Sequence, residues 1–346
     1  MSLGCFGPAG YQPLTRTMKA MVFEKRWFSR NMLKQRQVKT PDIKDDQVLI
    51  NVFAVGVNRG DMILDTSTVC PGLECSGIIE EVGKNVNCWK VGDRVCAILE
   101  EGGGYAEQVA VPENFLLPIP DDVDLDDAAS LPYASCTIWL ALSKLRRKIK
   151  KTILIREGNS GIGALAIQYA KYMGFNVIAS TGSRDSFAIC HRYGADFCVD
   201  HTAKNFVSAV YQNLEYGGVD LVLDHGASDL ERNIKCCRIW GKVFILDLHG
   251  MESGSIDLAM VQQKHIEIRV FDFRSRDSGY KASVIAELRT HLWPSILQRK
   301  VVPAIEYRFP VIEARKSLNL LSKDDTIGKI ILYINFQNTN RRLKKD

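Results

Sequence analysis

The stretch from Thr152 to Thr181 constrains the fold of this chain more than any other. It reads TILIREGNSGIGALAIQYAKYMGFNVIAST: a short strand-like segment, a glycine-rich turn, an apolar helical segment and a second β-branched strand. Gly161, Gly163 and Ala166 fit the spacing G-x-G-x-x-[G/A] of a dinucleotide-binding turn. Because these segments occur in the required order, the stretch predicts a βαβ unit that binds a dinucleotide. The alternative is an ordinary βαβ turn without a ligand.

Each small residue of this turn has a predicted purpose. Gly161 permits the tight turn, Gly163 lets the backbone approach a pyrophosphate, and Ala166 lets the helix pack against its strand. The amino end of the helix offers unpaired N–H groups and a partial positive charge to the phosphates.

The composition limits the remaining classes of protein. The 346 residues are 46% hydrophobic and 25% charged, which indicates a soluble globular chain of about two domains. No apolar run reaches the ~20 residues of a membrane span. The net charge of +5 is too small to imply nucleic acid by itself. We interpret the basic runs Lys144–Lys151 and Arg341–Lys345 as solvated faces, because neither is interleaved with aromatic residues.

The ten cysteines are scattered and form no C-x-x-C pair. This spacing favours reduced thiols in the cytoplasm over a disulfide framework or a zinc knuckle. The opening segment 1–17 has no apolar core of a secretory signal, and we interpret it as a disordered lead-in.

Short strands with glycine punctuation follow Met18, and they predict a compact, mostly antiparallel barrel-like domain. After Pro120 helices alternate with strands, which is typical of a doubly wound parallel sheet. A helix over Lys281–Arg299 and strands within Val301–Phe309 and Gly328–Ile334 have no place in a six-stranded nucleotide sheet. We expect these last segments to return to the first domain.

The order of motifs resembles the zinc-independent quinone oxidoreductases, the zeta-crystallin-like branch of the medium-chain dehydrogenase/reductase superfamily. The similar segments run from Lys19 to about Ile334, and they are GVNRGD (Gly56–Asp61), GLECSG (Gly72–Gly77), WKVGDRVCAIL (Trp89–Leu99), GGGYAEQVAVP (Gly102–Pro112), LPYASCTIWLAL (Leu131–Leu142), GVDLVLDHG (Gly218–Gly226), FRSR (Phe273–Arg276) and IGKIIL (Ile327–Leu332).

The resemblance implies an α/β protein of two domains. One is a GroES-like, mostly antiparallel β-barrel catalytic domain over 18–134 and 281–346. The other is a Rossmann domain with a doubly wound parallel sheet over 135–280, which binds NADP. Relatives usually pair through the edge strand of the nucleotide domain, so we expect a homodimer through Glu267–Phe271.

The resemblance also implies that no metal is bound. Zinc-dependent relatives carry zinc ligands where this chain has Asn58, Leu73 and Tyr133. An amide, an alkyl group and a phenol do not provide the His, thiolate or carboxylate ligands of a catalytic zinc site.

Without a metal, hydrogen-bond donors must stabilise the negative charge on the substrate oxygen. The resemblance places Asn58 beside the substrate carbonyl, Asp61 nearby and the hydroxyl of Thr137 against the nicotinamide. Asn58 and Asp61 are also common turn residues, and an exposed Asp is ionised near neutral pH. The loop after Asp61 is shorter than in relatives and lacks their tyrosine. Tyr133, four residues before Thr137 on one helix face, is our candidate for the missing donor.

The end of the second strand predicts the choice of cofactor. It reads Thr181-Gly182-Ser183-Arg184 where an acidic residue would favour NAD. Arg184 is able to pair with the 2′-phosphate of NADPH. However, Ser186 and His201 stand where relatives carry a lysine and a tyrosine. The resemblance implies further cofactor contacts at Gly158, Ser160, Gly161, Ile162, Gly163, Leu246, Phe271, Phe273 and Lys329.

Glu157 departs from the pattern, because relatives have a small residue directly before the glycine turn and a carboxylate there repels a pyrophosphate.

The leading hypothesis is an NADPH-dependent reductase of quinones or other α,β-unsaturated carbonyls. The alternatives are an enoyl-thioester reductase and a non-catalytic NADPH-binding sensor or scaffold. We expect a small-molecule substrate and no membrane or nucleic-acid partner.

Overall fold

The protein is described here by a computed structural model of residues 16–26, 29–62, 70–145, 151–214, 217–225, 229–246, 255–322 and 326–336, without the side chains of 25–32. Most of the predicted lead-in, most of the first basic run, the basic tail and the shortened loop at 63–69 lie outside the described residues. In the described part of the chain, no helix is long and apolar enough to cross a membrane.

Within the described residues, fifteen strands form three sheets. The strands are β1 Thr17–Arg26, β2 Ser29–Lys39, β3 Gln47–Gly56, β4 Glu74–Val82, β5 Arg94–Ile98, β6 Gln108–Pro112, β7 Leu116–Pro118, β8 Thr152–Ile155, β9 Asn176–Thr181, β10 Phe197–Asp200, β11 Val219–Asp224, β12 Cys237–Ile245, β13 Glu267–Val270, β14 Ile305–Pro310 and β15 Lys329–Tyr333. The α-helices are α1 Leu125–Ala128, α2 Pro132–Leu142, α3 Gly161–Tyr172, α4 Phe187–Arg192, α5 Phe206–Gln212, α6 Leu230–Cys236, α7 Leu258–Lys264, α8 Ser278–His291, α9 Trp293–Leu297 and α10 Ala314–Leu321. Short 3-10 helices lie at Arg59–Met62, Glu113–Phe115, Arg184–Ser186 and Val311–Glu313.

The first domain is built on a seven-stranded sheet. Its strand order is β14-β15-β3-β4-β5-β7, and β6 pairs with β3. All of its pairings are antiparallel except that of β14 with β15. β3 lies at the centre, and its side chains between Val48 and Gly56 are mostly buried. The mostly antiparallel character predicted for this domain is confirmed.

The second large sheet is parallel, with strand order β10-β9-β8-β11-β12-β13. The connection from β8 through α3 to β9 is the predicted βαβ unit. The chain order reverses between β8 and β11, and ligands of doubly wound sheets bind outside the carboxyl ends of the strands at such a point. The Rossmann architecture predicted from the sequence is confirmed.

Helix α2 joins the two sheets. It is buried along almost its whole length, and the hydroxyl of Ser135 is 2.8 Å from that of Tyr169 on α3. The domain boundaries predicted at 134/135 and 280/281 fall inside α2 and α8. The exact division of the chain into domains therefore remains a prediction.

One predicted helix is two helices in the structure. The sequence predicted a helix over Lys281–Arg299, but α8 ends at His291 and α9 begins at Trp293. Pro294 lies in the first turn of α9, where its missing N–H has no helical partner to lose. The proline therefore starts a second helix.

The chain also returns to the first domain as predicted. β15 pairs with β3 across the edge of the seven-stranded sheet, and this pairing carries the start of β15 to the glycine turn that precedes α3. The backbone N–H of Gly328 donates to the carbonyl of Asn159 at 2.9 Å. The two domains thus meet at a cleft.

Candidate active site

The cleft collects side chains from four separate parts of the chain. Asn58 follows β3, Tyr133 begins α2, Ser160 and Gly161 form the glycine turn, and Lys329 begins β15, and all five residues line the cleft. A Cβ atom placed on Gly161 would lie 3.2 Å from the Cβ atom of Lys329, so the glycine lets β15 approach. Of the predicted site residues, Ile162 also lines the cleft.

The base of the cleft holds a buried ion pair. The ammonium of Lys329 is 2.8 Å from Oε1 of Glu74 and donates to Oδ1 of Asn58 at 2.6 Å. Glu74 has no solvent-exposed surface, and its Oε2 accepts the backbone N–H of Tyr133 at 2.9 Å. Lys329 and Asn58 are also buried. The lysine charge is thus fixed inside the protein by one hydrogen-bond acceptor and one counter-ion.

Asn58 is oriented by its hydrogen bonds within the protein. Its side-chain amide donates to the carbonyl of Gly56 at 3.2 Å and to Oε1 of Glu74 at 2.9 Å. Both amide hydrogens are therefore used, and the amide oxygen accepts from Lys329. A direct bond to a substrate carbonyl, which the resemblance implied, would require one of these bonds to break. In this arrangement Asn58 positions Lys329.

Asp61 has a different environment from the exposed one considered at the sequence level. It is fully buried. One carboxyl oxygen accepts the backbone N–H of Asn58 at 2.8 Å and the hydroxyl of Tyr105 at 3.2 Å, and the other accepts the N–H of Leu73 at 3.1 Å. Burial raises the pKa of Asp61 to about 7, against the opposing effect of the Asn58 N–H. Asp61 holds the turn that carries Asn58.

The predicted pairing of Tyr133 and Thr137 on one helix face is confirmed. The hydroxyl of Thr137 donates to the carbonyl of Tyr133 at 2.9 Å, one turn earlier on α2. Thr137 is buried and Tyr133 is half-buried. The ring of Tyr133 meets that of Phe273 edge to face, with centroids 6.1 Å apart. Tyr133 therefore presents its ring to the cleft, and Thr137 lies behind it.

The glycine turn is packed against itself. Ser160 caps α3 by accepting the N–H of Gly163 at 3.0 Å. A Cβ atom on Gly163 would lie 2.1 Å from the carbonyl oxygen of Glu157, so this glycine is needed for packing inside the turn. The sequence had assigned it to the approach of a pyrophosphate. A Cβ atom on Gly158 would lie 2.8 Å from the Cβ of Ala179 on β9.

Glu157 has a left-handed backbone, with φ of 51°. This conformation suits glycine, which explains why a small residue is expected at this position. Its carboxyl group lines the cleft, with Oε2 4.0 Å from Nδ1 of His225. Burial and the nearby Asp224 raise the pKa of Glu157, while Arg156 and Arg59 oppose this rise.

The predicted 2′-phosphate corner lies at the end of β9, outside the cleft lining. The hydroxyl of Thr181 donates to the carbonyl of Ser183 at 2.6 Å, and Arg184 is exposed. A Cβ atom on Gly182 would lie 3.3 Å from Nε2 of His201, so His201 lies at this corner. Burial and the charge of Arg156 lower the pKa of His201 to about 4. A neutral imidazole is therefore expected there at neutral pH.

The other predicted cofactor residues lie at the carboxyl ends of the parallel strands. Leu246 and Phe271 follow β12 and β13 and are buried, and the ring of Phe271 packs on Phe244 with centroids 5.2 Å apart. Gly158, Gly163 and Phe273 do not line the cleft. Residues that the sequence reasoning missed are Arg59, Glu74, His225, Leu321 and Thr326. Only Glu74 had a signal, a carboxylate inside the buried segment GLECSG.

The residues of the cleft do not fit a zinc ion. The positions of zinc ligands in the zinc-dependent relatives are Asn58, Leu73 and Tyr133, and the ammonium of Lys329 is bonded to Asn58 and to Glu74 beside Leu73. A cation among these positions opposes a second cation. In the described ranges, no three His, Cys, Asp or Glu residues are grouped for metal binding. The reversal point of the sheet and the capped turn fit a dinucleotide.

Comparison with known proteins gives the same two-part organisation. Residues 44–121 match the family model of the alcohol dehydrogenase GroES-like domain. Residues 161–289 match the model described as zinc-binding dehydrogenase.

Curated relatives cover nearly the whole chain. The chloroplastic NADPH-dependent alkenal/one oxidoreductase of Arabidopsis thaliana is 31% identical over 340 residues, which span 92% of this chain and 80% of the relative. The quinone oxidoreductase of Rattus norvegicus is 25% identical over 312 residues, 87% of this chain and 93% of the relative.

Solved structures agree. The quinone oxidoreductase from Coxiella burnetii superimposes with a TM-score of 0.77 and 25% identity, over 92% of this chain and all of the other. A mycobacterial protein complexed with NADPH has a TM-score of 0.78 at 21% identity, over 91% of this chain and all of the other, and so shares the fold.

Proposed function

The chain belongs to the medium-chain dehydrogenase/reductase family of oxidoreductases, in the branch of the quinone and alkenal/one oxidoreductases, and from this we propose that it is an NADPH-dependent reductase of quinones or other α,β-unsaturated carbonyls. One observation carries the proposal. The cleft joins the glycine turn of a Rossmann sheet to a buried Asn58–Glu74–Lys329 cluster. Such a cluster provides positive charge where a substrate oxygen becomes negative.

NADPH would be held by the glycine turn at Ser160, Gly161 and Ile162 and by the corner at Thr181–Arg184. Leu246 and Phe271 would form the apolar wall at the strand ends. When bound, the cofactor supplies a hydride. The protein keeps this region dry, because α2, β3 and β15 bury the base of the cleft. Tyr133 orients its phenol ring toward the cleft, and Asp61 fixes the turn before the 3-10 helix.

Two alternatives share the same site. An enoyl-thioester reductase would use the same donors on a thioester carbonyl. A non-catalytic NADPH-binding sensor is favoured by one observation, the left-handed Glu157 whose carboxylate lines the cleft.

The nine described cysteines are free, which supports a reducing compartment such as the cytoplasm.

Steady-state oxidation of NADPH with ortho- and para-quinones, alkenals and a crotonyl thioester tests the function. We expect turnover with a quinone or an alkenal. Turnover with the thioester alone would favour an enoyl-thioester reductase. Tight binding of NADPH without turnover on any acceptor would favour the sensor and contradict the reductase.

The cofactor preference has its own test. We expect NADPH to bind more tightly than NADH by about 1–3 kcal/mol, through charge-assisted hydrogen bonds of Arg184 to the 2′-phosphate. Asp185 and Asp200 lie at the same corner and limit this gain. Titration of both cofactors into the wild type and Arg184→Ala measures it. Equal wild-type affinities would contradict the preference, and an unchanged ratio in the variant would exclude Arg184.

The phenol of Tyr133 is proposed as a donor to the substrate oxygen. Tyr133→Phe removes the hydroxyl and keeps the ring against Phe273. We expect kcat to fall about 10- to 100-fold with little change in NADPH affinity. A variant with the wild-type kcat would leave Tyr133 as a packing residue.

A further inference from the structure

We propose that Lys329 is a catalytic residue whose ammonium group stabilises the negative charge on the substrate oxygen and delivers the proton to it. The inference rests on the proposed reductase function and deepens it. The sequence assigned Lys329 to the cofactor, through the resemblance alone. The structure places its ammonium group against Asn58 and Glu74.

The ammonium of Lys329 keeps a hydrogen available. An ammonium has three N–H groups; one is donated to Oδ1 of Asn58, and Nζ lies 2.8 Å from its counter-ion, Oε1 of Glu74. These two oxygens are the partners of Nζ in the described part of the chain, so at least one N–H has no acceptor there. Lys329 lines the cleft beside Tyr133 and Gly161. An oxygen that enters the cleft therefore meets a cationic donor with one hydrogen available.

The partners of Lys329 are themselves held in place. Glu74 is fully buried and its second oxygen is held by the N–H of Tyr133. Asn58 is held in turn by Gly56 and by Glu74. The lysine therefore cannot relax toward solvent, and its charge needs no reorganisation when charge develops on the substrate. Preorganised donors of this kind are the largest single contribution in many enzymes.

Other polar side chains near the cleft are engaged within the protein or lie outside its lining. Both amide hydrogens of Asn58 are donated within the protein. The hydroxyl of Thr137 donates to the carbonyl of Tyr133. Asp61 lies behind the turn and does not line the cleft. Of the polar residues that the sequence assigned to the substrate, Asn58, Thr137 and Asp61 are thus engaged within the protein or outside the cleft, whereas Lys329 lines the cleft with its ammonium group.

When bound, the cofactor would supply a hydride to the β-carbon of the unsaturated carbonyl; its own C–H bond would break, it would be oxidised, and the π electrons would move to the carbonyl oxygen. An Nζ–H bond of Lys329 breaks as an O–H bond forms, which gives the enol tautomer of a saturated carbonyl or, from a quinone, a tautomer of the hydroquinone. The electron pair of the broken bond stays on Nζ. Water then returns a proton to Nζ, which restores the ion pair with Glu74.

Lys329→Met tests the proposal, and Lys281→Met is the matched control. Lys281 is also a buried lysine paired with a carboxylate: its side chain is 7% exposed and lies 3.1 Å from Glu100, while that of Lys329 is 8% exposed. Lys281 lies on α8 and does not line the cleft. We expect kcat to fall about 100- to 1000-fold in Lys329→Met and to stay within about threefold of the wild type in the control. A kcat of Lys329→Met within threefold of the wild type would overturn the proposal.

A second measurement does not use the reaction. p-Nitrophenol resembles a hydroquinone, and its visible phenolate band reports its ionisation. We expect the pKa of the dye bound to the wild type to fall by about one unit or more, because an adjacent cation favours the phenolate. The shift should disappear in Lys329→Met and persist in Lys281→Met. No shift in the wild type, or an equal shift in Lys329→Met, would refute the role of Lys329.

Removal of one partner of a buried ion pair leaves an uncompensated charge. If Lys329→Met does not fold, the double variant Lys329→Met/Glu74→Gln removes both charges and undergoes the same two measurements. The two measurements also distinguish a failure of the reductase function from a failure of the role proposed for Lys329. A wild type that turns over no acceptor contradicts the reductase function, while the dye titration still decides whether Lys329 stabilises an oxyanion.

Discussion

The two carboxyl oxygens of Asp61 accept hydrogen bonds from three donors, and the residue has no exposed surface. Its raised pKa of about 7 compares with an ordinary value of 3.8. Because the folded state holds the proton more tightly than the unfolded state, the stability it contributes is complete below about pH 4. That contribution is lost as the pH rises through about 7.

We therefore predict that Asp61→Asn flattens the dependence of stability on pH. In the wild type, ionisation of Asp61 should lower the free energy of unfolding by roughly 2–4 kcal/mol between pH 4 and pH 8. Urea unfolding across this range measures the slope for the wild type, Asp61→Asn and the exposed control Asp42→Asn. Parallel curves for all three proteins would show that Asp61 does not titrate in this window.

Glu157 combines two unfavourable properties at one position, a left-handed backbone and a carboxylate in the nucleotide cleft. Glu157→Gly removes both, and Glu157→Gln removes only the charge. We expect the glycine variant to gain about 1 kcal/mol of stability. Both variants should bind NADPH about 3- to 30-fold more tightly, because a like charge near the phosphates is lost.

Thermal unfolding and NADPH titration separate these effects. A glutamine variant with unchanged affinity would mean that Arg59, Arg156 or His225 already neutralises Glu157. A glycine variant with unchanged stability would mean that the turn stores no strain at this residue.

The relative position of two residues could be predicted where their spacing in the sequence allows only one geometry. Tyr133 and Thr137 are one helical turn apart, so their shared face followed from the sequence. The partners of Asn58 did not, because Glu74 and Lys329 come from two other strands and only the folded chain brings them together. The left-handed backbone of Glu157 was also not predictable, since the type of a residue does not determine its angle φ.

At the scale of elements, strand β13 is the edge of the parallel sheet. It carries Val270, which is 47% exposed, and the neighbouring strand β12 carries the exposed Trp240. An edge strand with apolar side chains is a surface for pairing with a second copy. The homodimer expected from the sequence remains a prediction, and the position of β13 supports it.

We predict a dimer at micromolar concentration that Val270→Asp weakens at least about tenfold, since it places a charge at a buried interface. Val302→Asp is the control, because Val302 is 40% exposed and precedes β14 on the other sheet. Light scattering over a dilution series measures the masses. A monomeric wild type, or equal effects of the two substitutions, would contradict a dimer through β13.

Most elements could be predicted because their signals are local. The β-branched strands β8, β9 and β11 are bounded by glycines and by helices with apolar faces. The break between α8 and α9 was missed because the apolar residues on both sides of Pro294 suit a helix. The short strand β7 was not predicted, since it depends on pairing with a distant neighbour.

At the scale of the whole molecule, Gly328 joins the two sheets. Its φ is 86°, and a Cβ atom there would lie 2.8 Å from the carbonyl oxygen of Ala304. Its N–H donates to Asn159 in the glycine turn. Any displacement of Gly328 also moves Lys329, which follows it directly.

Gly328→Ala should therefore lower both stability and activity. Gly92→Ala is the matched control, because Gly92 has φ of 92° and nothing within 4 Å of an added Cβ. Both variants lose the freedom of a left-handed glycine, but only Gly328→Ala adds a clash, so we expect it to cost about 1–3 kcal/mol more. Urea unfolding and kcat measure the two effects. Equal losses would show that Gly328 matters only through its backbone angle.

The alternation of strands and helices predicted a parallel sheet, and the leftover strands predicted a return to the first domain. The cleft itself was not predictable in this way. It requires the pairing of β15 with β3, and that pairing depends on the packing of both sheets around α2.

The bond between Lys329 and Asn58 spans 271 residues of the chain. During synthesis on the ribosome, domains fold in order from the amino end. Every strand of the nucleotide sheet leaves the ribosome before Lys329 does. A nascent chain is thus able to assemble its dinucleotide fold while Glu74 still has no counter-ion. Under the proposed function, the chain acquires its reactive lysine last, when the strand that begins at Lys329 takes its place in the sheet.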